Sequence, residues 1–348
     1  MSVSDTWRAR AAGGGDTTAV KEAVVDDLRR HLCAAGGWRL TGPLARGRNS
    51  QVFRATSPHW PRPVAVKIYN ADVSSRRAEF ELRALKTFSR EAVRADAFGV
   101  PRPYGIVAGG RALAMEWVAL PSLATALLRA HLAPRRRLEL VAAAAGWLAW
   151  FHRAGSDVRV RGVAGVRSAD RQRARADRFG ILADDAAYET ALGVLQRGRR
   201  RLRDCEVGFA PLHGDFAPHN LLHGQGRTVG LDFAGRRDGV VLLDVARFLV
   251  ALWLQGHWRL PSGGAADIAR QPVPATFLRA YAGDDWRPLA RHLPYFLLHD
   301  ATSRYFHAER AARQKPFSRD RIVYTLVRLR LRRLMLDLAR HLGDGPGA

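Results

Sequence analysis

The stretch HGDFAPHNLLHGQGRTVGLDFAG, residues 213–235, decides the fold of this 348-residue chain. It carries a His-Gly-Asp triplet, an asparagine five residues after that aspartate, and an Asp-Phe pair twelve residues further on. Residues 228–231 read as a short strand that ends at the second aspartate. Phosphoryl transfer to a hydroxyl needs one carboxylate to accept the proton and oxygen ligands to hold magnesium on the phosphates. Asp215, Asn220 and Asp232 fit these tasks.

A lysine that could contact phosphates lies well upstream, in the segment PRPVAVKIY. Its aliphatic residues Val64, Val66 and Ile68 alternate with Ala65, Lys67 and Tyr69. This alternation predicts a strand with Lys67 on the face opposite the aliphatic stripe. Of the 56 basic residues 52 are arginine, so a lysine at this position favours a task that needs a compact ammonium. A solvated strand lysine is the alternative.

The segment that follows, SSRRAEFELRALKTFSR, offers a carboxylate partner for this lysine. Its apolar residues have helical spacing, and the serine pair before them is a candidate cap. Glu81 is the predicted partner of Lys67, and Glu79 is left open as a second candidate. An ordinary surface salt bridge is the alternative for either residue.

The hairpin before the lysine strand is a weaker signal. Its sequence RGRNSQVF has Gly47 where a full nucleotide loop carries three glycines, with Asn49 and Ser50 close by. Backbone amides of a tight turn and a serine hydroxyl can bind phosphate oxygens. Gly47, Asn49 and Ser50 are therefore predicted to contact the nucleotide, and a plain hairpin is the alternative.

With these residues placed, the chain resembles the aminoglycoside phosphotransferase and choline kinase-like family, the small-molecule branch of the protein kinase-like fold. The resemblance covers about residues 38–340 and rests on the motifs RGRNS, VAVKIY, HGDFAPHN and LDFAG. It implies a bilobal α+β fold with a small β-rich N-terminal lobe and a larger helical C-terminal lobe.

The resemblance also implies an ATP- and Mg²⁺-dependent phosphotransferase. Asp215 would be the catalytic base. Lys67 would contact the phosphates and be held by Glu81. Asn220 and Asp232 would be the magnesium ligands.

Further residues take roles by the same resemblance. The segment ALAMEWV is similar to the linker between lobes whose backbone receives the adenine, which adds Glu116 and Val118 to the predicted nucleotide site. Asp244 matches a structural position, and a helix N-cap is its simpler interpretation. His152 and His213 are assigned to packing or to loop hydrogen bonds.

The spacing argues against a protein kinase. Only twelve residues lead from Asp232 to Asp244, too few for an activation segment, and Gly214 stands where phosphorylation-controlled kinases keep an arginine. The expected acceptor is therefore a hydroxyl of a small molecule or of a lipid-linked headgroup. Two alternatives are a catalytically silent kinase-like binding or scaffold protein and a membrane-surface glycolipid or lipopolysaccharide-type sugar kinase.

The charge balance of the chain limits the chemical class of the acceptor further. The chain has 56 basic and 32 acidic residues and a formal net charge of +24. A polycationic aminoglycoside needs an acidic pocket, so neutral sugars, amino alcohols or anionic lipid-linked substrates are favoured. A local acidic site could still form from Asp184, Asp185, Asp284, Asp285 and Asp300. No nucleic-acid-binding module is present, so no nucleic acid partner is expected.

Arginine clusters at residues 167–178, 197–203 and 328–334 suggest peripheral contact with an anionic membrane. The last cluster lies on a predicted amphipathic C-terminal helix with its arginines outside. The apolar positions expected to pack inward are Ile322, Leu326, Leu329, Met335 and Leu338. Aromatic residues between 253 and 305 either line the acceptor or belong to the core; they include Trp258, Trp286, Tyr295 and Phe296.

The order along the chain follows from composition. Residues 1–18 are predicted to be disordered and residues 19–35 to form a helix, followed by the N-terminal lobe at 36–118 and the helical lobe at 119–348. The inward positions of the first helix are Val20, Val24, Leu28 and Leu32. Two cysteines give no metal spacing and no secretory segment follows Met1, so a cytoplasmic location is expected, with a peripheral location at the inner membrane face as the alternative.

Overall fold

The protein is described here by a computed structural model. It describes residues 14–31, 37–46, 49–70, 76–92, 96–155, 158–162, 169–182, 184–202, 205–233, 238–261, 265–314 and 319–343. The chain divides into two compact units. The first comprises Met1–Pro121 and Gly224–Phe233, and the second comprises Ser122–His223 and Ala234–Ala348.

The first unit is built on a five-stranded antiparallel sheet. Its strands are β1 (Arg39–Arg46), β2 (Ser50–Ser57), β3 (Trp60–Tyr69), β5 (Pro103–Val107) and β6 (Ala112–Glu116), in the order β1-β2-β3-β6-β5. Strand β3 is central, and every residue from Val64 to Tyr69 is buried. Lys67 is paired with Val52 of β2 and with Leu113 of β6. The predicted strand therefore carries its lysine into the middle of the sheet.

Helices cover both faces of this sheet. Helix α1 (Gly14–His31) buries its apolar residues in one core with Val64, Val66 and Ile68. Helix α2 (Arg76–Ala92) buries Ala78, Glu81, Leu85 and Phe88. Because successive strand residues point to opposite faces, Lys67 and Tyr69 face α2 while the aliphatic stripe faces α1.

The first helix differs from its prediction at its N-terminal end. It begins at Gly14, five residues before the predicted start, so 14–18 are helical and not disordered. Once one face of a helix is docked, each further residue adds a hydrogen bond at little cost, which extends the helix. Val20, Val24 and Leu28 are buried as predicted. Leu32, the serine pair at 74–75 and Gly47 lie outside the described residues.

A separate parallel pair completes the first unit: β4 (Phe98–Gly99) and β10 (Arg227–Gly230).

The second unit is mainly helical. Its helices are α3 (Leu123–Arg129), α4 (Pro134–Gly155), α5 (Ala169–Arg178), α6 (Ala186–Leu202), α7 (Leu242–Leu254), α8 (Pro272–Ala282), α9 (Trp286–Gln314) and α10 (Arg319–Gly343). Strands β7 (Arg159–Gly162), β8 (Glu206–Pro211) and β11 (Asp238–Val240) form a small antiparallel sheet, and β9 is Leu221–Gly224. A β-rich N-terminal unit and a helical C-terminal unit confirm the predicted α+β class. Across the described ranges, no helix combines the length and hydropathy needed to cross a bilayer.

Aromatic side chains make up much of the core of the second unit. Phe216 stacks on Trp147 and on Phe248, with ring centroids 5.8 and 5.0 Å apart. Three of the aromatic residues considered for the acceptor wall, Trp258, Tyr295 and Phe296, are also buried. They belong to the core, because they are almost fully shielded from solvent. The indole of Trp258 donates to Leu249 O at 2.8 Å.

Helix α10 corrects one prediction. Its buried apolar residues are Leu331, Leu334, Met335 and Leu338. The predicted inward residues Ile322, Leu326 and Leu329 are instead 66%, 57% and 53% exposed. At 100° per residue these three lie on the side of the helix opposite the buried set, so one face could not bury both groups.

Candidate active site

In the first unit the structure brings Lys67 together with two carboxylates. Lys67 is 4% exposed. Its Nζ donates to Oε1 and Oε2 of Glu81 at 2.9 and 2.8 Å and to Oδ1 of Asp232 at 2.8 Å. Glu81 is thus the α2 carboxylate that reaches the lysine. Glu79 lies 4.0 Å from Arg83 on the exposed side of the helix.

The charges of this cluster do not cancel. Burial alone would lower the pKa of Lys67, but the carboxylates of Glu81 and Asp232 outweigh it and raise that pKa, so the ammonium stays charged. One cation then faces two carboxylates. The excess negative charge, on oxygen ligands, suits a small divalent cation such as Mg²⁺.

The backbone at Asp232 has a conformation that side chains disfavour. Its φ is 56°, in the left-handed region. The next residue, Phe233, is buried and stacks on Phe88 of α2 at 5.9 Å. Packing of the phenylalanine holds the turn after β10, and the turn presents the aspartate to Lys67. Such backbone strain is typical of functional positions.

The other predicted nucleotide residues lie at ends of strands in the same unit. Asn49 lies directly before β2, and its carbonyl accepts from the amide of Asn70 at 2.9 Å. Ser50 is buried at the start of β2. Glu116 ends β6, and its amide donates to Arg102 O at 2.8 Å.

Val118, in the irregular segment after β6, is half-buried. Between it and the strand, the amide of Trp117 donates to Pro63 O at 3.4 Å. The predicted nucleotide contacts of these residues remain predictions.

In the second unit a short loop brings Asp215 and Asn220 together. It ends in a 3₁₀ turn, Pro218–Asn220. The Nδ2 of Asn220 donates to the backbone oxygen of Asp215 at 2.8 Å and to its Oδ2 at 3.2 Å. The side-chain oxygen of Asn220 takes no hydrogen bond from any residue that the structure describes. An amide oxygen of this kind is a suitable ligand for a hard cation.

Asp244 fastens this loop to the core. Its carboxylate accepts from the amides of His213 at 2.7 Å and Gly214 at 3.0 Å. The Nε2 of His152 lies 3.3 Å away, and the Nδ1 of that ring lies 2.7 Å from the hydroxyl of Tyr281. Burial alone would raise the pKa of Asp244, but the hydrogen bond and charge of His152 outweigh it and lower that pKa.

This arrangement corrects the N-cap interpretation of Asp244. Helix α7 begins at Leu242, so Asp244 lies inside its first turn. Its oxygens accept hydrogen bonds from the amides of His213 and Gly214, outside its own helix. The roles of His152 and His213 in packing and loop hydrogen bonding agree with their contacts: His213 lies 5.8 Å from Trp147, ring to ring, and its Nδ1 accepts from the amide of Asp215 at 3.3 Å.

Sequence reasoning missed Arg247, which touches the predicted base directly. Its Nη1 donates to Oδ1 of Asp215 at 3.0 Å and also to the backbone oxygen of Gly214. Its Nε donates to Oδ1 of Asp300 at 3.3 Å. Arg304 donates to Oδ2 of Asp300 at 2.5 Å and to Arg247 O at 2.9 Å. A four-residue network of alternating charge therefore holds Asp215.

Tyr69 was missed as well. Its hydroxyl donates to Oε2 of Glu81 at 2.7 Å. The sequence contained a signal for both Arg247 and Tyr69. Arg247 is a charged residue in the apolar run of α7, one turn after Asp244, and Tyr69 follows Lys67 by two positions on the same strand face.

Comparison with known proteins places the chain among phosphotransferases. The model of the family described as APH, phosphotransferase enzyme family, matches residues 41–292. Serine/threonine-protein kinase PknK of Mycobacterium tuberculosis is 28% identical over 287 residues, which are 80% of this chain and 24% of that protein. The chain thus spans about a quarter of the length of this curated relative.

Two solved structures show the likeness in three dimensions. A choline/ethanolamine kinase family protein from Mesorhizobium loti has a TM-score of 0.61 at 16% identity, with 94% of this chain and 97% of that chain covered. Amicoumacin kinase hAmiN in complex with AMP-PNP, Ca²⁺ and Ami has a TM-score of 0.61 at 14% identity, with 93% and 94% covered. At these identities the likeness shows the protein kinase-like fold.

Proposed function

The chain belongs to the phosphotransferase enzyme family, and from this premise we propose that it moves the γ-phosphoryl group of ATP to a hydroxyl group of a small molecule. The observation that carries the proposal is the cluster in which the buried pair of Lys67 and Glu81 meets the partly exposed carboxylate of Asp232. A buried ion pair contributes little net stability because its desolvation is costly, so its presence favours a role in ligand binding over a role in stability.

The residues fit a nucleotide with a divalent cation. In this proposal the Lys67 ammonium contacts phosphate oxygens, and Asn220 and Asp232 supply oxygen ligands to Mg²⁺. Gly47, Asn49, Ser50, Glu116 and Val118 contact the rest of the nucleotide. The complex of amicoumacin kinase hAmiN with AMP-PNP and Ca²⁺ supports this donor chemistry in a protein of the same fold.

The proposed step moves one phosphoryl group and one proton. The acceptor oxygen forms a bond to the γ-phosphorus while the bond from that phosphorus to the β–γ bridging oxygen breaks and ADP leaves. The hydroxyl proton passes to the carboxylate of Asp215. The cation, when bound, neutralises charge on the phosphate oxygens. Asn220 and Arg247 hold the carboxylate of Asp215 in one orientation through the contacts described above.

The acceptor is most simply a neutral or weakly charged hydroxyl compound. Two carboxylates that could have formed an acidic site are already engaged. Asp185 accepts from the amides of Ala187 and Tyr188 at 3.0 and 3.1 Å, and Asp300 is paired with two arginines. A polycation therefore gains less from these two carboxylates than it would from unengaged ones. Sugars, amino alcohols and lipid-linked headgroups remain.

Thermal unfolding with and without ATP and Mg²⁺ tests the donor site without knowledge of the acceptor. A ligand that binds only the folded state raises the melting temperature. We expect a Mg²⁺-dependent rise for the wild type that is lost in Asp232→Ala. Asp96→Ala, an exposed carboxylate of the same unit, is the matched control and should keep the rise.

No rise at millimolar nucleotide would refute the enzyme proposal and support the silent binding or scaffold protein. With a rise established, ADP release is measured against a panel of sugars, amino alcohols, lipid headgroups, aminoglycosides and a serine/threonine peptide. The peptide tests the activity that the name of PknK suggests, which the short Asp232–Asp244 interval disfavours. Turnover with the peptide alone would overturn the small-molecule assignment.

A second proposal concerns the membrane surface, and one observation favours it. Ile322, Leu326 and Leu329 form an exposed apolar stripe on α10, and Arg330 and Arg332 beside it are exposed too. An apolar face bordered by arginines suits an anionic lipid surface. We expect co-sedimentation with phosphatidylglycerol-containing vesicles at low salt and its loss when the three apolar residues are replaced by serine. Absence of the wild type from the vesicle pellet would rule out this proposal.

A further inference from the structure

We propose that Tyr69 is a positioning residue of the nucleotide site, which acts through Glu81 on Lys67. The inference rests on the proposed function, because it gives Lys67 the task of contacting the nucleotide phosphates.

The three side chains are held together by strand geometry. Lys67 and Tyr69 lie two positions apart on β3 and therefore share the face covered by α2. Tyr69 is 3% exposed, and its hydroxyl lies 2.7 Å from Oε2 of Glu81. The Nζ of Lys67 lies 5.5 Å from the centre of the Tyr69 ring. The tyrosine thus contacts both members of the ion pair.

The phenol acts as a donor only. Burial, followed by the charge of Glu81, raises the pKa of Tyr69, so the hydroxyl keeps its proton. Its hydrogen bond is charge-assisted, because the acceptor is a carboxylate, and such bonds are stronger than neutral ones. Oε2 of Glu81 therefore receives two donors, the Tyr69 hydroxyl and the Lys67 ammonium.

The need for a second donor follows from the hydrogen bonds of Lys67. An ammonium has three N–H donors. Lys67 contacts three oxygens: both of Glu81 and one of Asp232. To reach a phosphate oxygen, it must give up or share one of these contacts. A buried carboxylate oxygen left without a donor is costly, and Tyr69 removes that cost at Oε2.

The consequence is a division of tasks in which Tyr69 keeps Glu81 oriented and Lys67 is able to turn towards the nucleotide. Without the hydroxyl, Glu81 would compete with the phosphates for the same donors. The affinity for Mg²⁺·ATP, and not only the fold, should therefore depend on one phenolic oxygen.

The test uses Tyr69→Phe in the full chain, which keeps the ring and removes the hydroxyl. Isothermal titration calorimetry with Mg²⁺·ATP measures Kd below the melting temperature of each variant. We expect Kd to rise about three- to tenfold, the effect of one ordinary hydrogen bond, because only part of the stronger bond to Glu81 is transmitted to the nucleotide. Tyr188→Phe is the matched control, a buried tyrosine of the second unit whose hydroxyl donates to Gln172 O at 3.1 Å. It should lose a few degrees of melting temperature and keep the wild-type Kd.

A double-mutant cycle with Glu81→Gln shows whether Tyr69 acts through Glu81. In the Glu81→Gln background, Tyr69→Phe should cause no further rise in Kd, because the group that the hydroxyl positions has lost its charge. An additive effect would overturn the proposed route, as would a wild-type Kd for Tyr69→Phe alone. If the wild type itself does not bind Mg²⁺·ATP, the proposed function fails first, so the two failures are distinguishable.

Discussion

Arg247 and Asp215 form a direct ion pair, with Nη1 of the guanidinium 3.0 Å from Oδ1 of the carboxylate. The same arginine is tied to the buried Asp300 through Nε. Burial alone would lower the pKa of Arg247, but the charges of Asp300 and Asp215 outweigh it and raise that pKa. The arginine is therefore a fixed positive group that orients the proposed base from α7.

Replacement of Arg247 should impair turnover more than nucleotide binding. For Arg247→Met we expect kcat to fall on the order of 10- to 100-fold, with the Kd for Mg²⁺·ATP within about twofold of the wild type, since a misplaced base loses only part of the benefit of general base catalysis. Arg247→Lys keeps the positive charge but loses the planar guanidinium with its several donors, so its kcat should lie between those of the wild type and Arg247→Met. Arg279→Met, an exposed arginine beside Trp286, is the control. An equal loss of kcat in Arg247→Met and in the control Arg279→Met would contradict the positioning role of Arg247.

Replacement of Asp215 and replacement of Asp232 should affect different quantities, turnover in the first case and nucleotide binding in the second. Asp215→Ala is expected to lower turnover on the order of 10²- to 10⁴-fold with nucleotide binding retained, because it removes the proposed base. Asp232→Ala should weaken binding of Mg²⁺·ATP itself. Turnover by a coupled ADP assay and binding by calorimetry separate these effects. Small and equal effects of both substitutions would refute the role assignment.

Asp244→Asn should destabilise the second unit strongly. The two oxygens of Asp244 accept from two loop amides, and an asparagine would turn its NH₂ group towards one of these donors. We expect a loss on the order of 3 kcal/mol in the free energy of unfolding, the effect of an unsatisfied buried group. Urea denaturation measures it. Asp170→Asn, in an exposed pair with Arg199, should change stability by at most about 0.5 kcal/mol, and a similar loss there would contradict the argument.

Two glycines of α6, one packed against a buried ring and one with room beside it, allow the effect of an added methyl group on stability to be compared. A Cβ at Gly198 would lie 2.7 Å from Cδ2 of Tyr295, whereas a Cβ at Gly193 would meet only the end of the Arg197 side chain at 3.6 Å. Gly198→Ala should therefore cost about 1–3 kcal/mol, since the buried ring must shift. Gly193→Ala should stabilise by up to about 1 kcal/mol, since alanine favours the helix. Thermal melts of both variants test the prediction, and stabilisation by both would overturn it.

His257 should make stability depend on pH between about 6.5 and 4. Burial, followed by the charges of Arg137 and His131, lowers the pKa of His257 to about 4. In the unfolded chain this histidine has a pKa of about 6.5 and binds a proton that it does not bind in the folded state. The contribution of His257 to the free energy of unfolding is therefore complete above pH ~6.5 and is lost as the pH falls towards 4.

The expected size of this effect is on the order of 3 kcal/mol, because the pKa falls from about 6.5 to about 4 and each pKa unit corresponds to about 1.4 kcal/mol. Urea denaturation from pH 4 to 8 should show a flatter profile for His257→Gln than for the wild type. His299, whose pKa burial lowers to about 4, accounts for part of the remaining slope. His59→Gln, at an exposed position, should leave the profile unchanged. An unchanged profile for His257→Gln would contradict the prediction.

Local pattern accounts for the parts of the fold and candidate site that could be predicted. Alternation in PRPVAVKIY placed Lys67 on one face of a strand, and helical spacing placed Glu81 on the buried side of the next helix. These are contacts between neighbouring elements, so the period of each element nearly defines them. The same reasoning failed on α10, where apolar residues alone did not reveal which side of the helix was covered.

By itself, the sequence determined the α+β class, the helix and strand that carry Lys67 and Glu81, and the motif that joins Asp215 to Asn220. Only the tertiary structure decided that Asp232 lies against Lys67, that Arg247 and Asp300 hold Asp215, and that Tyr69 supports Glu81. The physical reason is that periodicity orients a side chain relative to its own element. Which distant charge it meets depends on how elements pack, as between Lys67 and Asp232, 165 residues apart.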